Sequence, residues 1–444
     1  MIGRSVHRSW AWLKTTVHEP WLALNRVLTL HTLGRHVRRH PRGPAYEPLP
    51  GSLLYVAASA LPYHTSGYTT RTHEVVCALR DLEPNVHVMT RPGYPWDRKD
   101  RASDAQSLET WIDGIRYRHA RGPANNRPVL HYALQAAKVV AEEAARHRVA
   151  VIHAASNHVN ALPALLAARQ LGISFQYEIR GLWELTRISR QPAYEGSQAY
   201  KQGLQLEALV ARHADHLFVI SEQLRRYVCE RWRVPPERVA LLPNCIEPNR
   251  FAVAGPEEVQ PRTIGYAGSL IGYEGLDTLI EAVARLKAQG VEVRVRIVGH
   301  GEAERDLKAL AEQLTVMDRV QFLGRLSPDE ARAVIRQSAL VCLPRKPFEV
   351  CQIVPPIKLV EALAMAKPVI VPDLPVFRDE LGNSGSGWFF RAGDAQDLAR
   401  VIEQALEDEA ALAVAGQKAR LHAVTQRNWR DHVRGVLPNR RGDK

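Results

Sequence analysis

Lys358 and Glu361 stand three residues apart, in a stretch that reads as the opening of a helix followed by an apolar strand. Side chains at this spacing share one face of an α-helix. A carboxylate there can accept hydrogen bonds from both hydroxyls of a ribose, and an ammonium beside the helix N-terminus favours a diphosphate. The pair therefore suggests a site for a nucleotide-linked sugar. The competing interpretation is an ion pair on a solvated helix face.

Glycines follow several of the apolar runs that read as buried strands. Gly67 follows the first run, Gly268 precedes Ser269 after a later one, and Gly299 and Gly301 follow the next. A residue without Cβ lets backbone N–H groups approach a phosphate or a sugar closely. The tight turns of any parallel sheet need the same glycines, so each also has a purely structural interpretation.

The elements that would position these residues alternate between strand and helix along most of the chain. This order starts near residue 51 and restarts after Pro261. It predicts an α/β protein with two doubly wound, parallel-sheet, Rossmann-like domains that face each other across a cleft, where strand ends collect ligands. The predicted parts are an N-terminal extension and linker at 1–50, a first domain at 51–250, a boundary near 248–262, a second domain at 260–416, and a crossover helix and tail at 417–444.

The net charge of +12 lies at the two ends of the chain. Residues 1–50 hold eight Lys or Arg against two Glu, and residues 417–444 hold eight against two Asp, so each end carries +6 and the middle is neutral. A nucleic-acid-binding protein more often has a basic stripe within its folded domain. Basic ends around a neutral protein favour an anionic membrane surface as partner, and no nucleic acid.

Residues 8–33 combine basic and large apolar side chains. Such a segment can lie in a membrane interface but not span it, and its interspersed charges do not fit a signal peptide. The alternative is a helix that packs on the protein's own first domain. The apolar members are Trp10, Trp12, Leu13, Val17, Trp21, Leu22, Leu24, Val27 and Leu28.

Five scattered cysteines without a Cys-x-x-Cys pair indicate reduced residues of a cytoplasmic protein, neither a zinc site nor a disulfide framework. With the basic ends, they predict a cytoplasmic location, peripheral on the inner membrane face. No Asp-x-Asp follows a predicted strand, so we expect no metal. A nucleotide-sugar would be a co-substrate, and no cofactor is expected.

The stretch Lys358-x-x-Glu361-Ala-Leu-Ala-Met-Ala-Lys-Pro-Val-Ile resembles the C-terminal signature of the family 4 retaining glycosyltransferases, which have the GT-B fold. The resemblance covers roughly residues 51–430. Matching blocks follow in order: Ser66-Gly67-Tyr68, Leu242-Pro243-Asn244-Cys245-Ile246, Gly265-Tyr266-Ala267-Gly268-Ser269, Val298-Gly299-His300-Gly301 and Val320-Gln321-Phe322-Leu323-Gly324.

The resemblance implies a role for each candidate residue. It implies a donor site in the second domain, an acceptor side in the first, and a front-face reaction in which the donor phosphate assists the acceptor. The expected catalytic residues are Lys358, Glu361, Arg345 and His153; the expected donor-binding residues are Gly67, Gly268, Ser269, Gly299, Gly301, Arg325, Lys346 and Glu361; the expected acceptor-side residues are Arg180, Glu184 and Tyr68.

The chain departs from the common family pattern in three places. Ser269 and Glu274 stand where many members have Arg and Lys for the diphosphate, so the positive charge must come from elsewhere, with Lys358, Arg345 and Lys346 as candidates. Ile353 replaces the glutamate usually paired with the one at Glu361, and Gln352 or Glu349 are possible substitutes. Ala155 replaces the second histidine of a His-x-His motif; for the retained His153, a buried strand histidine is the alternative.

These departures match a subgroup of bacterial polysaccharide-assembly transferases linked to exosortase systems. The chain is similar to that subgroup in Tyr177-Glu178-Ile179-Arg180-Gly181-Leu182-Trp183-Glu184, Tyr273-Glu274-Gly275-Leu276-Asp277, Pro344-Arg345-Lys346 and Pro356-Ile357-Lys358. A surface Arg–Glu pair beside a buried Trp183 is the alternative interpretation of Arg180 and Glu184.

The resemblance implies transfer of a sugar from a nucleotide-diphosphate donor to a lipid-linked or polysaccharide acceptor, with retention, in exopolysaccharide or cell-surface glycan assembly. Two alternatives remain open. One is a sugar-nucleotide epimerase of the same fold, and the other is a degenerate transferase that serves as an assembly scaffold.

Overall fold

The computed structural model describes residues 19–38, 46–98 and 107–438. These form two compact units. Unit 1 takes in the described residues up to 219 together with 227–240 and 433–438, and unit 2 takes in 220–226 and 241–432. Apart from the short segment 220–226, the chain enters unit 2 after Ala240, shortly before the boundary near 248–262 that the sequence indicated, and it returns to unit 1 at Val433.

Unit 1 is built on a mostly parallel sheet whose strand order is β3-β4-β2-β1-β5-β6-β7-β8. The hairpin strand β3 is antiparallel to β4, whereas β1 pairs in parallel with β2 and β5, and β6 pairs in parallel with β5 and β7. The strands are β1 Leu49–Ala57, β2 Val86–Thr90, β3 Glu109–Ile112, β4 Ile115–Arg118, β5 Val149–Ala155, β6 Ser174–Ile179, β7 His216–Val219 and β8 Val239–Leu241.

The α-helices up to the end of that sheet connect these strands and cover them. Side chains cap the starts of some of them: Ser66 forms a capping box with Thr69, and the Asn157 side chain accepts a hydrogen bond from the backbone of Val159. The helices are α1 Glu19–Val37, α2 Gly67–Leu82, α3 Val129–Arg146, α4 His158–Leu171, α5 Trp183–Ile188, α6 Gln198–His213 and α7 Glu222–Trp232.

The N-terminal helix α1, Glu19–Val37, lies within the predicted N-terminal extension and linker at 1–50. It packs mainly against α6, with Leu33 and Val37 buried. The first part of the predicted amphipathic segment, residues 8–18, lies outside the described residues.

Unit 2 is built on a six-stranded sheet in the order β11-β10-β9-β12-β13-β14, and all of its neighbouring strands are parallel. The strands β12 and β13 are buried along their whole length, as expected for central strands of a sheet covered on both faces. The strands of this sheet are β9 Gln260–Ala267, β10 Arg294–Val298, β11 Val320–Gly324, β12 Ser338–Cys342, β13 Val369–Pro372 and β14 Gly387–Phe390.

Nine helices of unit 2 follow in the chain from α8 onward, all within the described range 107–438. They are α8 Leu276–Ala288, α9 Glu304–Gln313, α10 Pro328–Gln337, α11 Glu349–Ile353, α12 Ile357–Ala364, α13 Pro375–Leu381, α14 Ala395–Glu407, α15 Glu409–Gln426 and α16 Trp429–His432. After α16, the turn Val433–Val436 contacts α2 within unit 1.

The predicted alternation of strands and helices is present in both units, which confirms the α/β prediction. The short strands β3, β4, β8 and β14 are additions that the sequence pattern did not reveal. Within the described ranges, no helix combines the length and the apolar character needed to cross a bilayer.

Candidate functional site

The predicted donor-side residues of unit 2 gather at the carboxyl ends of four adjacent strands, β11, β10, β9 and β12. Parallel strands place their carboxyl ends at one edge of the sheet, where ligands of such sheets bind. Gly268 and Ser269 follow β9, Gly299 and Gly301 follow β10, Arg325 follows β11, and Arg345 and Lys346 follow β12.

The loops after β9 and β10 are packed backbone against backbone. Leu270 N–H donates to the carbonyl of His300 at 3.1 Å, and Gly268 N–H donates to Val298 at 2.9 Å. A Cβ on Gly299 would overlap the carbonyl oxygen of Gly268, and Gly299 also has φ +132°, which favours glycine. The close approach of the two loops therefore explains Gly299 without a ligand.

Gly268 has a different neighbour. A Cβ at this position would overlap Cε of Lys358, which lies on the first turn of α12. The absence of a side chain at Gly268 thus makes the space that the Lys358 side chain occupies. The structure brings together two residues that the sequence separates by a long interval.

Lys358, Glu274 and Arg345 form one charge cluster. Lys358 Nζ lies 3.0 Å from Glu274 Oε2, and Arg345 Nη2 donates to Glu274 Oε1 at 2.9 Å. Lys358 also lies over the ring of Tyr266, whose hydroxyl donates to Glu274 at 3.3 Å. The carboxylate at 274, which departs from the family pattern, is therefore the residue that links the two cations.

The cluster shifts the pKa of its members. Burial alone would raise the pKa of Glu274, but the charges of Arg345 and Lys358 outweigh it and lower the pKa to about 2. Burial lowers the pKa of Lys358, with Glu274 opposing the shift. Glu274 is thus ionised at neutral pH, and the ammonium of Lys358 gives up its proton more readily than an exposed lysine does.

The other donor-side candidates are more exposed. Lys346 pairs with Asp277 at the start of α8, and both side chains are about one-third exposed. Glu361 is half-buried on α12, three residues after Lys358, and contributes to the charge environment of that lysine. Ser269 and Arg325 are exposed.

Ile353 and Ala155, two of the residues that depart from the family pattern, are apolar and pack in the protein interior. Ile353 is buried at the end of α11, and Ala155 is buried at the end of β5. Gln352, considered as a substitute for a lost glutamate, donates to the carbonyl of Pro347 at 3.3 Å.

His153 and Arg180 belong to a buried network around Glu178 in unit 1. Arg71 and Arg180 donate to this carboxylate at 2.7 Å and 2.8 Å. His153 is completely buried, with its two ring nitrogens 3.0 Å from Gln176 and 3.4 Å from Glu178. Although burial raises the pKa of Glu178, the two arginines bring it well below its usual range. His153 thus lies where the alternative of a buried strand histidine places it, and its expected catalytic role stays a prediction.

Tyr68 is the partly exposed member beside that network. The Arg180 guanidinium lies 4.7 Å from the centre of its ring and donates to the Tyr68 carbonyl at 3.1 Å. Gly67, an expected donor-side residue, is the exposed first residue of α2 in the same unit. The structure thus brings the acceptor-side candidates Arg180 and Tyr68 into contact.

Glu184 lies in a second buried cluster of unit 1. Its Oε1 is 3.9 Å from Nδ1 of His158, which in turn lies 3.1 Å from Glu207. Burial and the charge of Glu207 raise the pKa of Glu184 to about 7. Burial alone would lower the pKa of His158, but Glu207 and Glu184 raise it. The Oε2 atom of Glu184 is buried without a hydrogen-bond partner among the described residues.

Trp183 is the exposed residue of this motif, with 68% of its surface accessible. Arg180 and Glu184 are the buried ones, so the alternative of a surface Arg–Glu pair beside a buried tryptophan is wrong. Trp183 stands at the start of α5, just after β6, where an exposed indole is a candidate platform for a sugar ring. Sequence reasoning missed it because tryptophan is usually assigned to the core.

The described residues form neither a cluster of metal ligands nor a disulfide. Throughout 19–38, 46–98 and 107–438, no three His, Cys, Asp or Glu side chains are arranged as a metal site. All five cysteines lie in the described part of the chain and each remains a thiol, with Cys245, Cys342 and Cys351 buried.

Curated relatives resemble less than half of this chain. WcaL of Salmonella typhimurium, named for colanic acid biosynthesis, is 33% identical over 37% of this chain and 41% of its own length. An amylovoran biosynthesis glycosyltransferase of Erwinia amylovora is 27% identical over 44% of this chain and 48% of its own length. The chain thus spans less than half the length of these two relatives.

Solved structures match most of the chain at low identity and establish the fold. Sucrose-phosphate synthase from Thermosynechococcus elongatus superposes with a TM-score of 0.69 at 16% identity, covering 87% of this chain and 97% of that one. HepE of Anabaena in complex with UDP-glucose gives 0.65 at 17% identity, covering 87% and 98%. The fold is that of the GT-B glycosyltransferases, as the sequence predicted.

Two family models match consecutive parts of the chain. The model described as glycosyl transferase 4-like domain covers residues 66–245, and the one described as glycosyl transferases group 1 covers 250–422. Only residues 246–249 separate the two matches, and the group 1 match contains both Gly268 and the helix of Lys358. This chain belongs to the group 1, family 4-like glycosyltransferases.

Proposed function

We propose that this chain transfers a sugar from a nucleoside-diphosphate donor to a lipid-linked or polysaccharide acceptor, with retention at the anomeric carbon. The observation that carries the proposal is the placement of Lys358. Its side chain lies against Gly268 at the end of β9 and on the first turn of α12, one turn before Glu361. A cation and a carboxylate at a helix N-terminus can hold a diphosphate and a ribose.

In the proposed reaction, the bond between the anomeric carbon and the donor phosphate oxygen breaks, and its electron pair leaves with the nucleoside diphosphate. The acceptor hydroxyl oxygen bonds to the same face of the anomeric carbon, and its proton passes to the departing phosphate. Lys358 and the N–H groups at the start of α12 would stabilise the negative charge that develops on the diphosphate. No metal ion has a step in this scheme.

Two comparisons support the choice of donor and process. HepE of Anabaena has been solved with UDP-glucose, and the two curated relatives are named for colanic acid and amylovoran biosynthesis. We infer a nucleotide-sugar donor for this chain and a role in exopolysaccharide or cell-surface glycan assembly. On the acceptor side, the partly exposed Tyr68 and the exposed Trp183 of unit 1 are the proposed contacts.

Calorimetric titration with UDP-, GDP-, ADP- and dTDP-linked sugars tests the proposal. We expect saturable binding of one donor by the wild type and its loss in Glu361→Ala. The matched control is Glu281→Ala, which removes an exposed carboxylate from α8 and should leave binding unchanged. With an acceptor extract, nuclear magnetic resonance of the product should show the anomeric configuration of the donor.

The other outcomes identify the alternatives. Nucleoside diphosphate released without a glycan product would support a sugar-nucleotide epimerase. An inverted product would refute retention, and no donor binding at all would favour the scaffold interpretation.

We further propose that α1 attaches the protein to anionic lipid. Trp21, Leu24 and Leu28 follow one another at three- and four-residue intervals on its outer side, and each is more than half exposed. The exposed Arg35 and Arg38 continue the same stripe towards the helix end. An apolar stripe that ends in basic residues fits a lipid surface with negative headgroups.

Sedimentation with vesicles tests this attachment. The wild type should bind vesicles that contain phosphatidylglycerol more strongly than pure phosphatidylcholine, and Trp21→Ser/Leu24→Ser/Leu28→Ser should bind at least about tenfold more weakly. Trp111→Ser removes a tryptophan from β3 that is even more exposed than Trp21 and should have no effect. Equal binding by the triple variant would refute the attachment, and the lack of any wild-type binding would favour the alternative of a helix that packs on the protein's own first domain.

A further inference from the structure

Glu274 occupies a position where a negative charge should oppose donor binding. It is 2% exposed, ends the turn Gly272–Glu274, and contacts Lys358, the lysine proposed above to bind the diphosphate. By itself, this carboxylate would cancel the positive charge of Lys358. A second cation is therefore needed if the site is to attract an anion.

Arg345 supplies that second cation from the buried side. Its side chain is 8% exposed, Nη2 donates to Glu274, and Nη1 donates to the carbonyl of Val354 at 2.9 Å. The side chain of Lys358 is 17% exposed, about twice as much. Of the two cations, Lys358 is the one with access to a ligand, whereas Arg345 is engaged with the protein interior.

We propose that Arg345 is a positioning residue whose charge offsets that of Glu274, so that the charge of Lys358 stays available to a diphosphate. This inference rests on the proposed donor site. The cluster of Arg345, Glu274 and Lys358 carries two positive charges and one negative charge, which leaves one positive charge. Without Arg345, the remaining pair is neutral. Without both Arg345 and Glu274, the single positive charge returns.

A four-variant cycle tests this charge balance. The wild type, Arg345→Gln, Glu274→Gln and the double variant are titrated with UDP, GDP, ADP and dTDP, with the matching nucleosides, and with inorganic pyrophosphate. We expect Arg345→Gln to weaken diphosphate binding at least about tenfold, because one unit charge is lost at an effective dielectric constant of roughly 20. Affinity for the nucleoside should not change. The double variant should regain affinity to within about threefold of the wild type.

Recovery in the double variant is the readout that a merely structural role would not produce. If the role of Arg345 is only structural, the double variant should bind the diphosphate as weakly as Arg345→Gln or more weakly. That result would overturn the proposal. Arg345→Lys keeps the charge and should retain most of the affinity if Arg345→Gln fails to fold. Asp318→Asn breaks the ion pair with Lys287, which involves no candidate site residue, and should leave the affinity within about threefold of the wild type.

The probes separate this proposal from the proposed function. If a nucleoside diphosphate binds but the double variant does not recover, the charge balance is refuted and the donor site stands. If only pyrophosphate binds and the double variant recovers, the charge balance stands and the nucleotide-sugar proposal fails. If neither probe binds the wild type, both are refuted.

Discussion

Lys358 Nζ lies 3.0 Å from Oε2 of Glu274, so the candidate donor site holds an ion pair in which the loop contributes the anion and the helix contributes the cation. By the family resemblance, the loop position more often carries a lysine. Lys358 therefore supplies from α12 a positive charge that the loop lacks. Because the carboxylate is buried and a second cation, Arg345, contacts it, the ion pair does not neutralise the site.

The first prediction concerns alkaline pH. Diphosphate binding needs protonated Lys358, and burial lowers the pKa of this lysine from its usual 10.5. Affinity should therefore fall as pH rises through a midpoint below 10.5. Glu274 opposes the shift, so Glu274→Gln should move the midpoint to a still lower pH.

Titration of the bound nucleoside diphosphate between about pH 7.5 and 10.5 measures this midpoint. Lys358→Arg is the control, because a guanidinium stays protonated throughout that range and should give a flat profile. A wild-type profile as flat as that of Lys358→Arg would contradict the assigned role of the lysine.

The second prediction concerns the space beside Gly268. In Gly268→Ala, the new Cβ would overlap Cε of Lys358 and displace the ammonium, so diphosphate affinity should fall at least about tenfold. Gly272→Ala lies in the same loop with no atom within 4 Å of the added Cβ, and its affinity should be unchanged. Calorimetry on both variants checks the difference, and equal affinities would show that Lys358 is not confined by this glycine.

The third prediction is a pH-dependent gain of stability in Glu184→Gln. Burial and Glu207 raise the pKa of Glu184 from 4.5 to about 7 in the folded protein. The folded state then binds more protons than the unfolded state between these values, so this group costs stability as pH rises from 4.5 to 7. The full cost is on the order of 3 kcal/mol above pH 7.

Thermal unfolding at pH 5 and pH 8 tests the direction of this pH dependence of stability. Relative to the wild type, Glu184→Gln should be more stable at pH 8 than at pH 5. Glu142→Gln, which replaces an exposed carboxyl on α3, should unfold at the same temperature as the wild type at both pH values. A stability difference between Glu184→Gln and the wild type that is the same at both pH values would contradict the raised pKa.

The fourth prediction concerns the core of unit 1. Glu178→Gln leaves Arg71 and Arg180 buried without their shared carboxylate and should cost about 3–5 kcal/mol in the free energy of unfolding. Urea unfolding measures the loss. Glu109→Gln breaks the exposed pair with Arg116 and should leave the midpoint in place. An unchanged midpoint in Glu178→Gln would mean that the network adds no net stability.

The sequence by itself determined the architecture of this protein. Apolar runs at β1, β5, β9 and β12, each followed by a turn and a helix, can bury their surface only in parallel sheets covered by helices. The short strands β3 and β14 escaped prediction because so few residues carry no clear period. The strand-end positions of Gly268 and Arg345 followed from the same pattern, since parallel strands end at one edge of the sheet, and the spacing of Lys358 and Glu361 placed both on one helix.

Only the tertiary structure decided which of these residues touch. Contacts such as Lys358 to Glu274, or Arg180 to Tyr68, join side chains far apart in the chain, and no local pattern encodes their distance. Burial was also undetermined: Arg180 and Glu184 could be placed on the surface until the structure enclosed them and exposed Trp183. Side-chain type and spacing fix what chemistry a residue can perform, whereas its partners, its exposure and its pKa depend on every element packed around it.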